Sequence, residues 1–177
     1  MSMNNAVLAF DFATSTGWAM AQGDTILYGS VDLGAGCTFK GTEHRHGYIF
    51  KQATSLLDPE RLCNGYTPQA VFFEDVGIGQ AKGTPTVQII FGLRCLTLLK
   101  CHKLGIHPVP FGTSHWKKQF GLKGNCGKEA VTECVNALGF DCDNNDQSDA
   151  LGILNAGLLM YGCSIKDFKH KHKGNVQ

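Results

Sequence analysis

Four carboxylates carry the chemistry that can be read directly from this chain. Asp11 lies inside the apolar run VLAFDFAT, and Glu74 interrupts a second, AVFFEDV (70–76). Burying an ionised carboxylate is costly unless something compensates it. Asp146 and Asp149 stand three apart in DQSDALGI, at the start of a helical stretch. Residues at i and i+3 share a helix face, so both can address one spot. If Asp11 and Glu74 project from neighbouring strand ends towards that spot, four like charges converge, and they repel unless a cation sits among them. Oxygen-only ligands favour Mg²⁺ or Mn²⁺ over zinc. Two such ions about 4 Å apart are the usual apparatus for in-line attack of water on a phosphodiester. Each acid also has a quieter role open to it. Asp146 or Ser148 could cap the last helix, Glu74 and Asp75 could be a polar strand end, and Asp11 could satisfy amides of the Thr14–Gly17 turn.

The net charge of +1 conceals a segregation. No acid occurs between Val76 and Lys128, a stretch that holds Lys82, Arg94, Lys100, Lys103, Lys117, Lys118, Lys123 and Lys128. The C-terminal segment adds Lys166, Lys169, Lys171 and Lys173 against Asp167, while Asp141, Asp143, Asp146 and Asp149 cluster before it. A basic block beside an acidic cluster suits a protein that grips a polyanion with one part and holds metal with the other. A solvated surface with separated charges is an equal alternative on charge alone.

The elements that must position these residues follow from the hydrophobic pattern. Residues 6–13 read as a buried strand, with a turn over Thr14–Gly17. Residues 17–22 and 25–33 continue as an antiparallel meander through a tight turn at Gly23-Asp24. A helix over 42–58 stops before Pro59. Residues 70–76 are a fourth strand, rich in β-formers, followed by a flexible loop from Gly77 to Gly83. Pro85 suits the first turn of a helix to Lys103, and 106–111 is a fifth strand. Thr113 or Ser114 caps a short helix to Phe120. The loop GLKGNCG (121–127) leads to a helix over 128–138 and a last one over 147–161. The expected fold is α/β: a five-stranded mixed sheet flanked by helices, with strands 1–3 as a meander and strands 4 and 5 parallel. Residues 1–163 form one domain and 164–177 a loose basic tail.

Composition narrows the class. The chain has 177 residues, 43% of them apolar and 18% charged, enough for a core and too apolar for disorder. The longest apolar run, Ile89–Leu99, is interrupted by Arg94 and is too short to span a bilayer. The N-terminus lacks a basic region and places Asp11 in what would be the apolar part of a signal peptide. The expected location is the cytoplasm or nucleoid, with no membrane partner. The eight cysteines are scattered, with no C-x-x-C pair, and read as reduced thiols. His44/His46 and His170/His172 are the only metal-like spacings, and the second pair reads as solvated. Gly127-Lys128-Glu129 is no phosphate-binding P-loop, since Leu122 and Glu129 stand where Gly and Ser or Thr are required.

The order DFATSTGWA, VFFEDV, DQSDALGI resembles the RuvC-type Holliday junction resolvases of the ribonuclease H-like superfamily, over residues 6–162, and the cysteine-rich, compact sequence looks more like a phage or viral branch of it. The resemblance implies a ribonuclease H-like fold in which Asp11, Glu74, Asp146 and Asp149 hold two Mg²⁺, with Mn²⁺ as a substitute. The segment FGTSHWKKQFGLKGNCGKEAV matches the family's lysine-bearing segment, so Lys117 and Lys128 are expected at the scissile phosphate and the DNA backbone. Lys82, Arg94, Lys118 and Lys123 join them as expected DNA contacts. The implied activity is nicking of four-way junctions, leaving 5′-phosphate and 3′-hydroxyl ends, by a homodimer. Val87, Ile90, Phe91 and Leu98 of the 85–103 helix are the candidate interface, unless that helix is core. The family's aromatic three residues after the Glu is Gly77 here, so junction opening falls to other residues or the substrate range is broader. A non-cleaving branched-DNA-binding module, an RNA–DNA hybrid nuclease and an actin-like phosphotransferase fragment are the rival readings. The last needs two such domains.

Overall fold

A computed structural model describes residues 3–75 and 84–175. Alternation along the central strands sets the architecture. On β1 (Met3–Asp11) Val7 and Ala9 face one apolar layer, whereas Ala6, Leu8 and Phe10 face the other. β2 (Ser15–Gly23) and β4 (Ala70–Glu74) divide in the same way: Ala19, Ala21, Ala70 and Phe72 face the first layer, and Trp18, Met20, Val71 and Phe73 the second. A period of two with both phases apolar means a sheet covered on both faces.

The sheet has six strands in the order β5-β4-β1-β2-β3-β6. β1, β2 and β3 (Thr25–Asp32) form the expected antiparallel meander, and β4 and β5 (His107–Phe111) add in parallel on the β1 side. Helices α1 (Thr42–Leu56) and α3 (Thr84–Leu104) cover the second layer. Between them Asp58 caps the short α2 (Pro59–Leu62), accepting from the amides of Glu60 and Arg61 at 3.0 and 3.2 Å. Helices α4 (Thr113–Lys118), α5 (Lys128–Ala137) and α6 (Asn145–Leu159) cover the first layer. Every residue of α6 from Gln147 to Leu158 is buried, the signature of a helix enclosed on all sides. The last helix begins two residues before its expected start because Asn144 caps it, its side chain accepting from Gln147 N at 3.0 Å. The expected loop over 77–83 lies outside the described residues.

The sixth strand corrects the expectation of a loose tail. A 3₁₀ turn, Ile165–Asp167, leads into β6 (Lys169–Asn175), which pairs in parallel with β3. The segment is anchored first by α6: Ser164 Oγ and Ile165 N both donate to Asn155 Oδ1, at 2.9 and 3.1 Å. Ile165 and Phe168 are buried in the first layer. The alternation Lys-His-Lys-His then does the rest. His170 and His172 lie over Phe140 and Tyr28, with centroids 4.6 and 5.0 Å apart; Lys169, His170 and Lys171 are exposed and His172 is half-buried. His170 is thus solvent-exposed, as expected, while resting on Phe140, whereas His172 sits against Tyr28 with its Nε2 3.1 Å from Asp143 Oδ2. Lysines on β6, and Pro108 and Pro110 on β5, sit on the two edges, where such residues discourage pairing with another chain.

If β6 is integral, Ile165→Ala should cost about 2–4 kcal/mol, the usual range for emptying a core site, seen as a lower urea midpoint with an unchanged slope. A chain cut after Cys163 that melts at the full-length temperature would return the segment to a dispensable tail.

Candidate active site

The strand period that builds the core also aims the carboxylates. Asp11 is two residues beyond Ala9 and Glu74 two beyond Phe72, so both follow residues that face the α6 layer. The strands are parallel neighbours, with Phe10 opposite Phe73, and each acid is the next residue on its strand. Asp11 and Glu74 therefore stand side by side at the carboxyl edge of the sheet.

Helix α6 delivers the other two. Its first turn rests on β2 at Gly17, the strand partner of Asp11. A Cβ at Gly17 would lie 1.8 Å from the carbonyl oxygen of Asp146, a separation that backbone cannot relieve without moving the helix. This glycine is the notch that brings the helix acids down to the strand acids. Asn144 holds the same end from the side, its amide donating to Ser30 Oγ at 3.0 Å.

The charges of the other three acids all bear on Asp11. Asp11 is buried, and its carboxyl is held well above the ordinary value, first by burial and then by the charges of Asp149 and Glu74, with a smaller contribution from Asp146. Burial pushes Asp149 up to about 6, against the opposing charge of Lys128. Asp149 Oδ1 is buried without a hydrogen-bond partner. Lys128, the first residue of α5, extends its ammonium to 3.7 Å from Asp146 Oδ1 and 3.6 Å from Asp149 Oδ2. Partial burial pulls its pKa down, but Asp11, Asp149 and Asp146 outweigh that and raise it.

Among the described residues, no group of three or more His, Cys, Asp or Glu side chains is placed so that it could hold a metal ion as it stands. Glu74 is turned to Thr113 and Trp116, which both donate to its Oε1, and Lys128 lies beside the helix acids. An all-oxygen donor set, a buried oxygen with no donor and mutual repulsion among the acids nevertheless fit a hard divalent cation.

Two of the quieter roles fall to other residues, whereas Glu74 and the exposed Asp75 do form a polar end to β4. Asn144, not Asp146 or Ser148, caps α6. The turn after β1 is closed by Thr16, whose Oγ1 donates to Ala13 O at 2.6 Å.

The lysines divide. Lys117 is 8% exposed; its ammonium donates to Cys126 O at 3.0 Å and lies 5.5 Å from the Trp116 ring centre, and its charge bears on Asp149. Lys118 and Lys123 are exposed near it. Arg94 belongs to α3 on the other side of the sheet, paired with Asp75 and 5.5 Å over the Phe73 ring. Lys82 lies outside the described residues. Of the other histidine pair, His44 stacks near Phe39 and His46 near Phe50. Gly17, Asn144, Thr113 and Trp116 complete the site without having been read from the sequence as part of it. Only the spacing of Thr113 and Trp116, three apart beside Lys117, could have signalled a shared face.

No protein-family model and no curated protein matches the chain. Solved structures do. The Thermus thermophilus RuvC structure superposes with a TM-score of 0.58 at 18% identity, covering 90% of this chain and 98% of that one. The T. thermophilus RuvC in complex with Holliday junction substrate gives 0.59 at the same identity and coverage. The yeast mitochondrial Holliday junction resolvase Ydc2 gives 0.56 at 11% identity, covering 88% of this chain and 78% of that one. The chain has the RuvC fold, as the sequence motifs led us to expect.

A carboxyl that holds its proton more tightly folded than unfolded makes the fold stabler when protonated. In EDTA the protein should therefore lose stability as the pH rises from 3.8, the ordinary Asp value, through about 6. Asp149→Asn should flatten that slope and raise the melting temperature at pH 7.5 by roughly 5 °C, measured by circular dichroism at pH 5 and 7.5. A slope running the other way would show that these acids are not buried together.

Proposed function

We propose that the chain is a Mg²⁺-dependent, structure-selective DNA endonuclease that resolves four-way junctions by paired nicks. One observation supports this most: the charges of Glu74, Asp146 and Asp149 all bear on buried Asp11, with Lys128 beside the two helix acids, at the carboxyl edge of a RuvC-like sheet. Retention of all four acids argues against a module that binds without cutting. The position of Glu74 on a strand, rather than on a helix, argues against a cutter of RNA–DNA hybrids.

Divalent ions bound by the four acids would supply Lewis acidity and charge neutralisation at the scissile phosphate. The chain's own residues do the rest. Asp11, central in the sheet and buried, addresses both the strand and the helix acids. Lys128 is half-exposed on a flexible stem, so its ammonium can leave the carboxylates for a phosphate oxygen as negative charge builds there. Lys117, buried and held on α4, contributes a fixed positive charge. Lys118 and Lys123 are placed to meet backbone phosphates on the same side. Arg94 would contact a separate DNA arm, exchanging Asp75 for phosphate.

Symmetric resolution needs two sites, hence a two-fold homodimer. On α3, Ile90 and Leu98 pack partly against the chain's own core, while half-buried Val87 and Phe91 and exposed Leu99 leave apolar surface suited to a second copy. Among the described residues, no helix is long and apolar enough to cross a membrane, and we assign the protein to the cytoplasm or nucleoid, where its DNA substrate is.

The test is a gel of labelled four-way junction, linear duplex and RNA–DNA hybrid with Mg²⁺, Mn²⁺ or EDTA. Junction should be nicked in Mg²⁺ or Mn²⁺, and EDTA should stop it. Asp11→Asn should abolish nicking and keep junction binding; tight binding by the unaltered chain with no product in either metal would reject the nuclease reading. Lys128→Ala should slow cleavage by about 10²–10³-fold and weaken binding far less. Light scattering should give twice the 19.2 kDa chain mass, and a strict monomer would remove the symmetric mechanism.

A further inference from the structure

Glu74 is held differently from the helix acids. Asp146 and Asp149 neighbour an ammonium, whereas Glu74 accepts from two neutral donors on α4, the Thr113 hydroxyl and the Trp116 indole N–H, the latter at 3.4 Å. Both bonds fall on Oε1, and neither engages Oε2. Two donors on one oxygen fix the side-chain torsions of a carboxylate that would otherwise swing away from Asp11 and Asp149.

Trp116 does more than donate. Its ring is buried and lies flush against α6, so close that a Cβ on Gly152 would come within 2.7 Å of Cζ3. The indole therefore spans the gap between the strand bearing Glu74 and the helix bearing Asp146 and Asp149. Its edge meets the strand carboxylate and its six-membered ring meets the helix.

We infer that Thr113 and Trp116 are positioning residues that hold Glu74 Oε1 so that Oε2 faces a divalent cation, and that the Trp116 ring sets the distance between strand and helix ligands. This rests on the two-metal reading of the site. Neither residue touches the reacting phosphate; both act through Glu74. Their loss should appear as weaker metal binding rather than slower chemistry at saturating metal.

Mn²⁺ is the probe, titrated into the full-length protein and followed by the electron paramagnetic resonance of the free ion. Thr113→Val removes the hydroxyl at constant shape, Thr113→Ser restores it, and Trp116→Phe removes the indole N–H while keeping an aromatic ring. Thr113→Val and Trp116→Phe should each bind Mn²⁺ about 10-fold more weakly, and Thr113→Ser should match the unaltered chain. In cleavage assays the Mn²⁺ requirement should rise by the same factor, with kcat largely recovered at saturating Mn²⁺. Thr113→Val keeping full Mn²⁺ affinity would overturn the inference and leave the nuclease reading standing. An unaltered chain that binds no Mn²⁺ would overturn both. If Trp116→Phe does not fold, Thr113→Val alone decides, since Thr113 is only partly buried and its replacement empties no core space.

Discussion

Repulsion among carboxylates brought together at one edge of a sheet is the constraint around which this molecule is organised. Asp11 and Asp149 are both driven towards their neutral forms, burial being the larger cause in each. Such a cluster opposes folding, so the rest of the chain must hold it in place. It does so with two apolar layers that pin the four carboxylates from different directions. β1 and β4 fix two acids through ladder register, and α6, buried along nearly its whole length, fixes the other two. Lys128 reduces the repulsion, yet being half-exposed it is not locked in. An unfavourable charge cluster within an otherwise consistent fold is where a functional site is expected.

The closeness of α6 to the sheet follows from small residues on both surfaces. Ala9, Ala19, Ala21 and Ala70 line the sheet, and the helix answers with Gly157, while Gly152 gives α4 a similar close approach. A Cβ at Gly157 would lie 2.2 Å from Phe72, and one at Gly152 would press on Trp116. Bulkier residues would still give a sheet covered by a helix, but the helix acids would stand further from the strand acids. The glycines are thus determinants of site geometry, and Gly17 is the strictest because its near neighbour is backbone rather than a side chain that can turn.

Much of this was legible in the sequence because it rests on local patterning. The two-sided apolar strands, the Asp and Glu that break them, and the three-residue spacing on the last helix each report burial or face without tertiary knowledge. What could not be read depends on distant partners. The Lys-His-Lys-His segment is an indifferent strand by composition. It becomes one because Asn155 anchors its start and Tyr28 and Phe140 receive its histidines. Gly17 looks like turn punctuation until the backbone of Asp146 is seen against it. Arg94 belonged by charge to one basic block, but the sheet separates it from Lys117, Lys118 and Lys123, and Asp75 engages it. A run of like charges in sequence is therefore not a single surface here.

Strand order explains why the acids gather where they do. β1 lies between a parallel neighbour, β4, and an antiparallel one, β2. The carboxyl ends of β1 and β4 coincide, and the chain leaves β1 through a tight turn into β2. Helix α6 brings its first turn to that edge. Its free amides and the dipole of a 15-residue helix favour negative charge at that end, which eases the burden of Asp146 and Asp149. That field is fixed, whereas the charge of Lys128 can be redirected. A permanent but partial compensation keeps the acids together, and a movable one leaves room for a second cationic partner. For that reason the site is better described as a cluster held short of neutrality than as a set of salt bridges.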